Sequence, residues 1–366
     1  MKSTSVWRHF DLWLTAAVLV LTAYGILAIN SAVTGAPAFE TYPERQVLFA
    51  LIGVAVMLIF SAIDYRILTS SHWYIYAFFI ASLVIVYLVG VINNASRRWI
   101  DLGVIQIQPS EFGRIILAIT LAQFLLTRQH LMGRFSNTLV TLAYVGLPVA
   151  FIFLQPDLGM SIIFFVVWFV LIWLAGLPLS HFALLSAIAI LAAVVLFPSL
   201  ADYQQLRFIG WLNPEALPEE SFNIEQALIS IGSGGWWGKG YLQGTQSQLG
   251  FLRVQHTDFI FSVITEEMGL VFGALVVLGL MTFILIRIVR VASLTGDPAG
   301  RFIVVGIAAV LFFQTVVSVG MNLRLLPVTG LTLPFVSYGG SSLITLFMAI
   351  GIVQSVLMRH RKQEFG

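Results

Sequence analysis

Ser161-Ile162-Ile163-Phe164-Phe165-Val166-Val167-Trp168-Phe169-Val170-Leu171-Ile172-Trp173-Leu174 is the middle of a run from Leu158 to Leu177 that carries no charged side chain. A helix needs about 20 mostly apolar residues to cross roughly 30 Å of hydrocarbon, and this run has that length. Nine further segments resemble it: Leu12–Asn30, Gln46–Ile63, Trp73–Val91, Ser110–Thr127, Thr138–Leu154, Phe182–Leu200, Phe259–Ile286, Phe302–Leu323 and Ser342–Met358. Each run is continuous, without the in–out alternation of a lipid-facing barrel strand, so the expected secondary structure is helix. The segment from Ser110 is interrupted by charge, at Glu111 and Arg114. The sequence therefore predicts an all-α polytopic membrane protein of about ten transmembrane helices, with residues 1–366 forming one integral-membrane domain.

Composition agrees. Of 366 residues, 59% are hydrophobic, 13% aromatic and only 10% charged, and the mean hydropathy is +0.95. A soluble domain carries about a quarter charged residues. A water-soluble enzyme, a disordered chain and a nucleic-acid binder are excluded on that ground. The net charge is +2, and the 19 Lys and Arg form no basic block that would bind a polyanion. No cysteine is present, which removes disulfides, thiolate metal sites and a cysteine nucleophile. No small-residue cleavage pattern follows the run from Leu12, so it reads as a retained helix and not a signal peptide.

An even number of crossings puts both termini on one side. With cytoplasmic termini, the inner segments hold 11 Lys and Arg: Lys2, Arg8, Arg66, Arg128, Arg134, Arg287, Arg290, Arg301, Arg359, Arg361 and Lys362. The outer segments hold seven, namely Arg45, Arg97, Arg98, Arg207, Lys239, Arg253 and Arg324. That bias predicts a multi-pass protein with both termini in the cytoplasm. One outer connection, about 201–258, is far longer than the rest and gathers Asp202, Glu215, Glu219, Glu220, Glu225 and Asp258. Long loops in compact proteins are usually functional. Its Trp236-Trp237 pair suits the membrane interface. No internal repeat is visible, which weakens an inverted-repeat transporter reading.

Ionisable groups at membrane depth cost several kcal/mol unless paired or hydrated, so each calls for an explanation. Arg97-Arg98-Trp99-Ile100-Asp101 leads into Gln108-Pro109-Ser110-Glu111-Phe112-Gly113-Arg114. Glu111 and Arg114 share a helical face. They form either a neutralising pair or part of a cationic wall for a phosphate-bearing ligand. In Gln155-Pro156-Asp157-Leu158-Gly159, Asp157 either caps the next helix or reaches the same outer cavity. The glycine-rich stretch Gly232-Ser233-Gly234-Gly235-Trp236-Trp237-Gly238-Lys239-Gly240, continuing through Gln243, fails the spacing of both a Walker A loop and GxGxxG. What is left is a flexible run of amides with one lysine, a phosphate cradle or a hinge. His256-Thr257-Asp258 precedes a span, so Asp258 is either an N-cap or a carboxylate over the outer cavity. Glu266, eight residues on, is expected two turns down a similar face. The last outer loop, Pro334-Phe335-Val336-Ser337-Tyr338-Gly339-Gly340-Ser341-Ser342, is broken and hydroxyl-rich, as befits the lining of a wet cavity.

These segments, in this order, resemble the SEDS (shape, elongation, division and sporulation) family of bacterial peptidoglycan glycosyltransferases, over essentially the whole chain. Residues 238–248 resemble the RodA-like elongation branch more than the division branch. The resemblance implies a bacterial plasma-membrane enzyme that polymerises lipid II at the outer face, with a lipid-linked glycan as donor and lipid II as acceptor. Asp258 matches the family's essential loop aspartate and would be the general base, with inversion at the donor's anomeric carbon. Substrate contacts are then expected from Arg45, Arg98, Trp99, Glu111, Arg114, Asp157, Lys239, Gln243, His256, Ser337 and Ser341. Arg45, Arg98, Arg114 and Lys239 are the candidates for the diphosphate. Arg114 stands where the family usually has lysine, and its planar fork favours a structural pair with Glu111. The expected partners are membrane lipid and a class B penicillin-binding protein, the transpeptidase of the elongation machinery. No organic cofactor is expected. A divalent cation such as Mg2+ or Mn2+ is a candidate helper, its identity unknown. The alternative is a lipid II flippase, which needs no base in the loop. A third reading, a scaffold recruiting the transpeptidase, predicts that alanine at Asp258 and Glu111 is silent.

Overall fold

Lipid offers no partner to backbone amides, so each crossing must satisfy its own hydrogen bonds, and helices do so. The structure, a computed structural model, describes residues 7–93, 96–101, 103 and 106–359. In chain order the elements are α1 (Leu12–Val33), α2 (Tyr42–Ala62), the short α3 (Tyr65–Ser70) and α4 (His72–Val89). Strands β1 (Val91–Asn93), β2 (Ser96–Asp101) and β3 (Gln106–Ile107) then form an antiparallel sheet in the order β1-β2-β3. The helices α5 (Pro109–Arg128), α6 (Phe135–Leu154), α7 (Leu158–Leu174) and α8 (Leu179–Leu196) follow. Next come α9 (Asp202–Leu212), α10 (Pro218–Gly234) and α11 (Thr245–Gln248). The last are α12 (Ile260–Met268), a π-helical turn (Gly269–Ala274), α13 (Leu275–Leu294), α14 (Pro298–Asn322) and α15 (Gly340–Arg359).

Among the described residues, nine helical stretches are long and apolar enough to cross a membrane, and the 17-residue α7 is a shorter tenth. The protein is a multi-pass membrane protein, and its spans coincide with the ten apolar segments. The stretch 201–258 differs from a plain loop: α9, α10 and α11 fold it onto one end of the bundle. The three-stranded sheet is a second addition that apolar patterning did not show.

Helices α5, α14 and α15 form the centre, where even Gln354, Ser355 and Thr345 are buried. By contrast α8 has Leu185 as its one buried residue, and Ile190 and Val194 stand open to lipid. The start of α1 and the C-terminal part of α15 lie at the same end of the bundle. Asp11 caps α1 by accepting from the Leu14 N–H at 3.0 Å, and its own N–H donates to Gln354 Oε1 on α15 at 2.9 Å. Arg287 Nη2 reaches Asp11 Oδ2 at 2.5 Å, and Arg359 pairs with Asp64 at 3.5 Å. The described arginines of the basic side, Arg8, Arg66, Arg128, Arg134, Arg287, Arg290, Arg301 and Arg359, fall at this terminal end. Lys2, Arg361 and Lys362 lie outside the described residues.

At the opposite end the glycine-rich stretch packs against the π-helical turn. Gly238 has φ +82°, and a Cβ there would meet the Glu267 carbonyl oxygen at 2.1 Å. A side chain is thus excluded twice, by conformation and by contact. The Lys239 and Gly240 N–H groups donate to the Glu266 and Glu267 carbonyls at 3.0 and 2.9 Å. These carbonyls end α12, and the Leu270 and Val271 N–H groups that would otherwise reach them donate to the Gly235 and Trp236 carbonyls at 2.9 and 3.1 Å.

Candidate active site

A cavity of about 1050 Å³ opens at the end away from the termini. Its walls come from the start of α2, from β2, from the beginnings of α5 and α15, from the 155–157 turn and from α9. Asp258 stands in it, one residue ahead of the Phe259 N-cap of α12, and caps nothing. Because it precedes the helix, helical periodicity does not relate it to Glu266. Burial pushes the Asp258 carboxyl above the ordinary aspartate value, while Arg207 and the Thr257 hydroxyl pull it back. Arg207 projects from α9 over the ring of Tyr203, 5.4 Å from its centroid.

Helix α9 is stitched in place by the other wall. The Tyr203 hydroxyl donates to the Pro156 carbonyl at 2.7 Å, and Gln204 Nε2 to the same oxygen at 3.1 Å. Arg98 donates from Nε to the Gln155 carbonyl at 2.8 Å and from Nη2 to Tyr203 Oη at 3.1 Å. It also bonds the Pro156 carbonyl. Asp157 serves both roles expected of it. It caps α7 through the Met160 N–H at 3.2 Å, and it faces the cavity, held by Gln108 Nε2 at 3.1 Å and Arg98 at 3.8 Å.

Glu111 lines the cavity, but Arg114 lies behind it with no exposure at all. The two pair at 2.6 Å, and Arg114 Nη2 also bonds Ser342 Oγ at 3.1 Å. Arg114 therefore stands behind the cavity lining, paired with Glu111 and bonded to Ser342. Arg45, Trp99, His256 and Ser341 line the cavity as well. The His256 ring sits 4.9 Å from Phe39 and 5.2 Å from Tyr42. That burial pushes its pKa down. Tyr42 in turn stacks on Tyr338 at 4.0 Å. The Ser341 hydroxyl donates to the Gln106 carbonyl at 2.6 Å and accepts from the Gln108 N–H at 3.1 Å, fixing the start of α5.

Besides Arg114, three expected contacts are not brought to the cavity, namely Lys239, Gln243 and Ser337. Lys239 Nζ is spent on Glu266 Oε1 at 2.9 Å and on Thr245 Oγ1 at 2.6 Å. Glu266 is itself withdrawn from the cavity and accepts the Gln246 and Ser247 N–H groups at 2.8 and 3.1 Å. Gln243 folds its amide back over Gly240, and the whole stretch is bracing for the π-helical turn. Ser337 sits behind the wall, its hydroxyl donating to the Thr257 carbonyl at 2.7 Å. The Arg97 and Asp101 side chains lie outside the described part. Tyr338 lines the cavity with its loop, as expected, and Arg207, Tyr203 and Tyr42 line it without having been expected as contacts. The available signal was the polar run Asp202-Tyr203-Gln204-Gln205-Leu206-Arg207, which places Tyr203 and Arg207 four apart on one helical face.

The cavity thus holds three arginines, Arg45, Arg98 and Arg207, and three carboxylates. Glu111 is neutralised by Arg114, and Asp157 is tied down as a cap. Asp258 alone keeps its carboxylate without an ion pair within 4.0 Å among the described residues. No group of three or more His, Cys, Asp and Glu able to hold a metal occurs among the described residues.

Ten crossings, an extra-membrane cap of short helices and an acid facing arginines define a polytopic membrane protein with a built polar chamber. The chain belongs to the FtsW, RodA and SpoVE family of cell cycle proteins, which matches residues 7–362. It is 37% identical over 358 residues to the peptidoglycan glycosyltransferase MrdB of Escherichia coli K12, covering 97% of this chain and 95% of that one. Stage V sporulation protein E of Bacillus subtilis is also 37% identical, over 94% of this chain and 96% of that one. The crystal structure of the rod shape determining protein RodA of Thermus thermophilus superposes with a TM-score of 0.73 at 29% identity, over 97% of this chain and 99% of the other. A chain from a peptidoglycan synthase complex, studied for the coordination of polymerization and crosslinking, gives 0.83 at 29% identity over 96% and 99%.

Proposed function

We infer that the protein is a peptidoglycan glycosyltransferase that polymerises lipid II at the outer face of the bacterial plasma membrane during cell elongation. Relatives bearing that enzyme name match over nearly full length. The observation that supports a site for it is Asp258, set in the cavity opposite Arg207. The cavity end is taken as extracytoplasmic and the terminal end, with its eight described arginines, as cytoplasmic.

The growing glycan, held on a lipid diphosphate, is the donor and lipid II the acceptor. Asp258 accepts the proton of the acceptor's sugar hydroxyl as that oxygen attacks the donor's anomeric carbon. The bond from that carbon to the diphosphate oxygen breaks, and the electron pair leaves on the lipid diphosphate. Arg45, Arg98 and Arg207, which line the cavity, stabilise the charge where it develops. With one free carboxylate and no second one acting as nucleophile, the displacement is single and the configuration inverts from α to β. A divalent ion enters this proposal only as one whose ligands come mostly from the diphosphate, the usual habit of Mg2+. No step above is routed through it. The transpeptidase of the elongation machinery, a class B penicillin-binding protein, is the proposed partner, supported by the likeness to a chain of a synthase complex.

Asp258 must be ionised to act, so polymerisation falls as pH drops through its pKa, which burial places above the ordinary aspartate value. Arg207 opposes that rise. Arg207→Gln is expected to move the acid limb of the pH–rate profile to higher pH and to lower the plateau about 10- to 100-fold through loss of a leaving-group cation. Initial rates of glycan formation from purified lipid II, between pH 4 and 9 or thereabouts, test this. A limb that stays in place in Arg207→Gln would separate Arg207 from Asp258.

A further inference from the structure

The main chain that carries Asp258 is anchored in an unusual way. Three consecutive carbonyls, those of His256, Thr257 and Asp258, each accept a hydrogen bond from a donor outside their own segment. The Tyr338 N–H donates to His256 at 3.0 Å, the Ser337 hydroxyl to Thr257 at 2.7 Å, and Asn322 Nδ2 to Asp258 at 2.8 Å. Loop segments ordinarily open at low free energy because their backbone groups bond to water. Here each carbonyl is bonded to protein.

Both side-chain donors are themselves fixed. Asn322, fully buried at the end of α14, gives its second amide hydrogen to the Ser318 carbonyl at 2.8 Å. Its Oδ1 accepts from the Ser262 hydroxyl at 2.6 Å and the Ser262 N–H at 3.2 Å. That oxygen ties the first turn of α12 to the same point. Ser337 Oγ accepts the Leu333 N–H at 2.9 Å while it donates to Thr257. Its loop is pressed so close to α1 that a Cβ on Gly25 would lie 2.6 Å from Val336 Cα. Neither Asn322 nor Ser337 lines the cavity. A buried, saturated polar network rigidifies what it touches.

We propose that Asn322 and Ser337 are positioning residues, which hold the Asp258 carboxylate in place through the carbonyls of Asp258 and Thr257 and never touch substrate. This assigns Ser337 a role different from sugar or phosphate binding, and it rests on the reading of Asp258 as the base. Fixing two successive carbonyls fixes the peptide planes on which the Asp258 Cα–Cβ bond is mounted. A general base displaced by about 1 Å costs on the order of 100-fold in rate while leaving substrate affinity alone.

The test compares kcat and KM for lipid II in the purified full-length chain and in Ser337→Ala, Ser337→Thr and Asn322→Asp. Asn322→Asp keeps the size and the acceptor for Ser262 but, when ionised, has no proton to donate to Asp258. Ser337→Ala and Asn322→Asp are expected to lower kcat roughly 10- to 100-fold with KM changed by less than about twofold. Ser337→Thr retains the hydroxyl and is expected to stay within about threefold of the parent. A raised KM at unchanged kcat in Ser337→Ala would make it a substrate contact and overturn the proposal. So would parental kinetics in both Ser337→Ala and Asn322→Asp, or loss of the folded size-exclusion peak in both. Asp258→Asn, assayed alongside, separates the layers. Full activity there refutes the base itself, whereas an inactive Asp258→Asn beside unimpaired Ser337→Ala and Asn322→Asp refutes only the positioning.

Discussion

Asp258→Asn is expected to fold, insert and remain monodisperse, yet to polymerise purified lipid II about 10²- to 10⁴-fold more slowly than the parent, the range lost with a general base. The amide has nearly the shape of the carboxylate, so the packing ahead of α12 is undisturbed. It carries no negative charge, so burial, which disfavours the ionised acid, does not oppose it. What it cannot do is take a proton. The other acids of the cavity offer no substitute: Glu111 is held by Arg114 at 2.6 Å and Asp157 by its cap. Glycan ladders resolved on a gel, from reactions with labelled lipid II, read the loss directly. Scrambling of fluorescent lipid II in liposomes, run in parallel, separates this account from a transport activity, which has no use for a base at that position.

The second large effect is on stability. Arg114 is wholly buried within the bundle and its partner Glu111 nearly so. Removing one partner of such a pair leaves an uncompensated charge in low dielectric and costs about 3–5 kcal/mol. Arg114→Met and Glu111→Gln are each expected to lower the thermal midpoint in detergent clearly. The double variant Glu111→Gln/Arg114→Met is expected to recover most of the loss, because nothing charged is then left behind. Among the described residues Arg114 Nε and Nη1 find no hydrogen-bond partner, so the pair is already imperfectly satisfied and its replacement as a unit is cheap. An Arg114→Met variant with parental stability and a raised KM for lipid II would instead make Arg114 a ligand contact.

The spans were legible because the bilayer imposes one requirement that sequence satisfies locally, about 20 apolar residues in a row. Leu158–Leu174 and Leu12–Val33 start where the apolar runs start, each just after an aspartate that caps it. The chemistry near the membrane surface was legible in part. Arg98, Glu111, Asp157 and Asp258 converge on one cavity, as polar groups that lipid will not hold tend to do. Lys239 was not legible. A lysine among glycines looks the same whether its amides face an anion or a helix, and only the tertiary fold shows that the Glu266 and Glu267 carbonyls at the end of α12 claim them. Arg207 was hidden for the opposite reason. It stands on a short amphipathic helix that gains its position from bonds to the 155–156 carbonyls, some fifty residues back in sequence. Ser337 stands one layer behind the wall, a distinction of a few ångströms that no sequence pattern encodes.

One carboxylate acting without a partner nucleophile fixes the stereochemistry of the product. The decisive measurement is therefore the anomeric configuration of the newly formed glycosidic bonds, read by NMR on glycan made by the purified protein from α-linked lipid II. A single displacement assisted by Asp258 predicts β bonds throughout. Retained α bonds would require a second carboxylate to attack the sugar first, and would contradict the cavity as described.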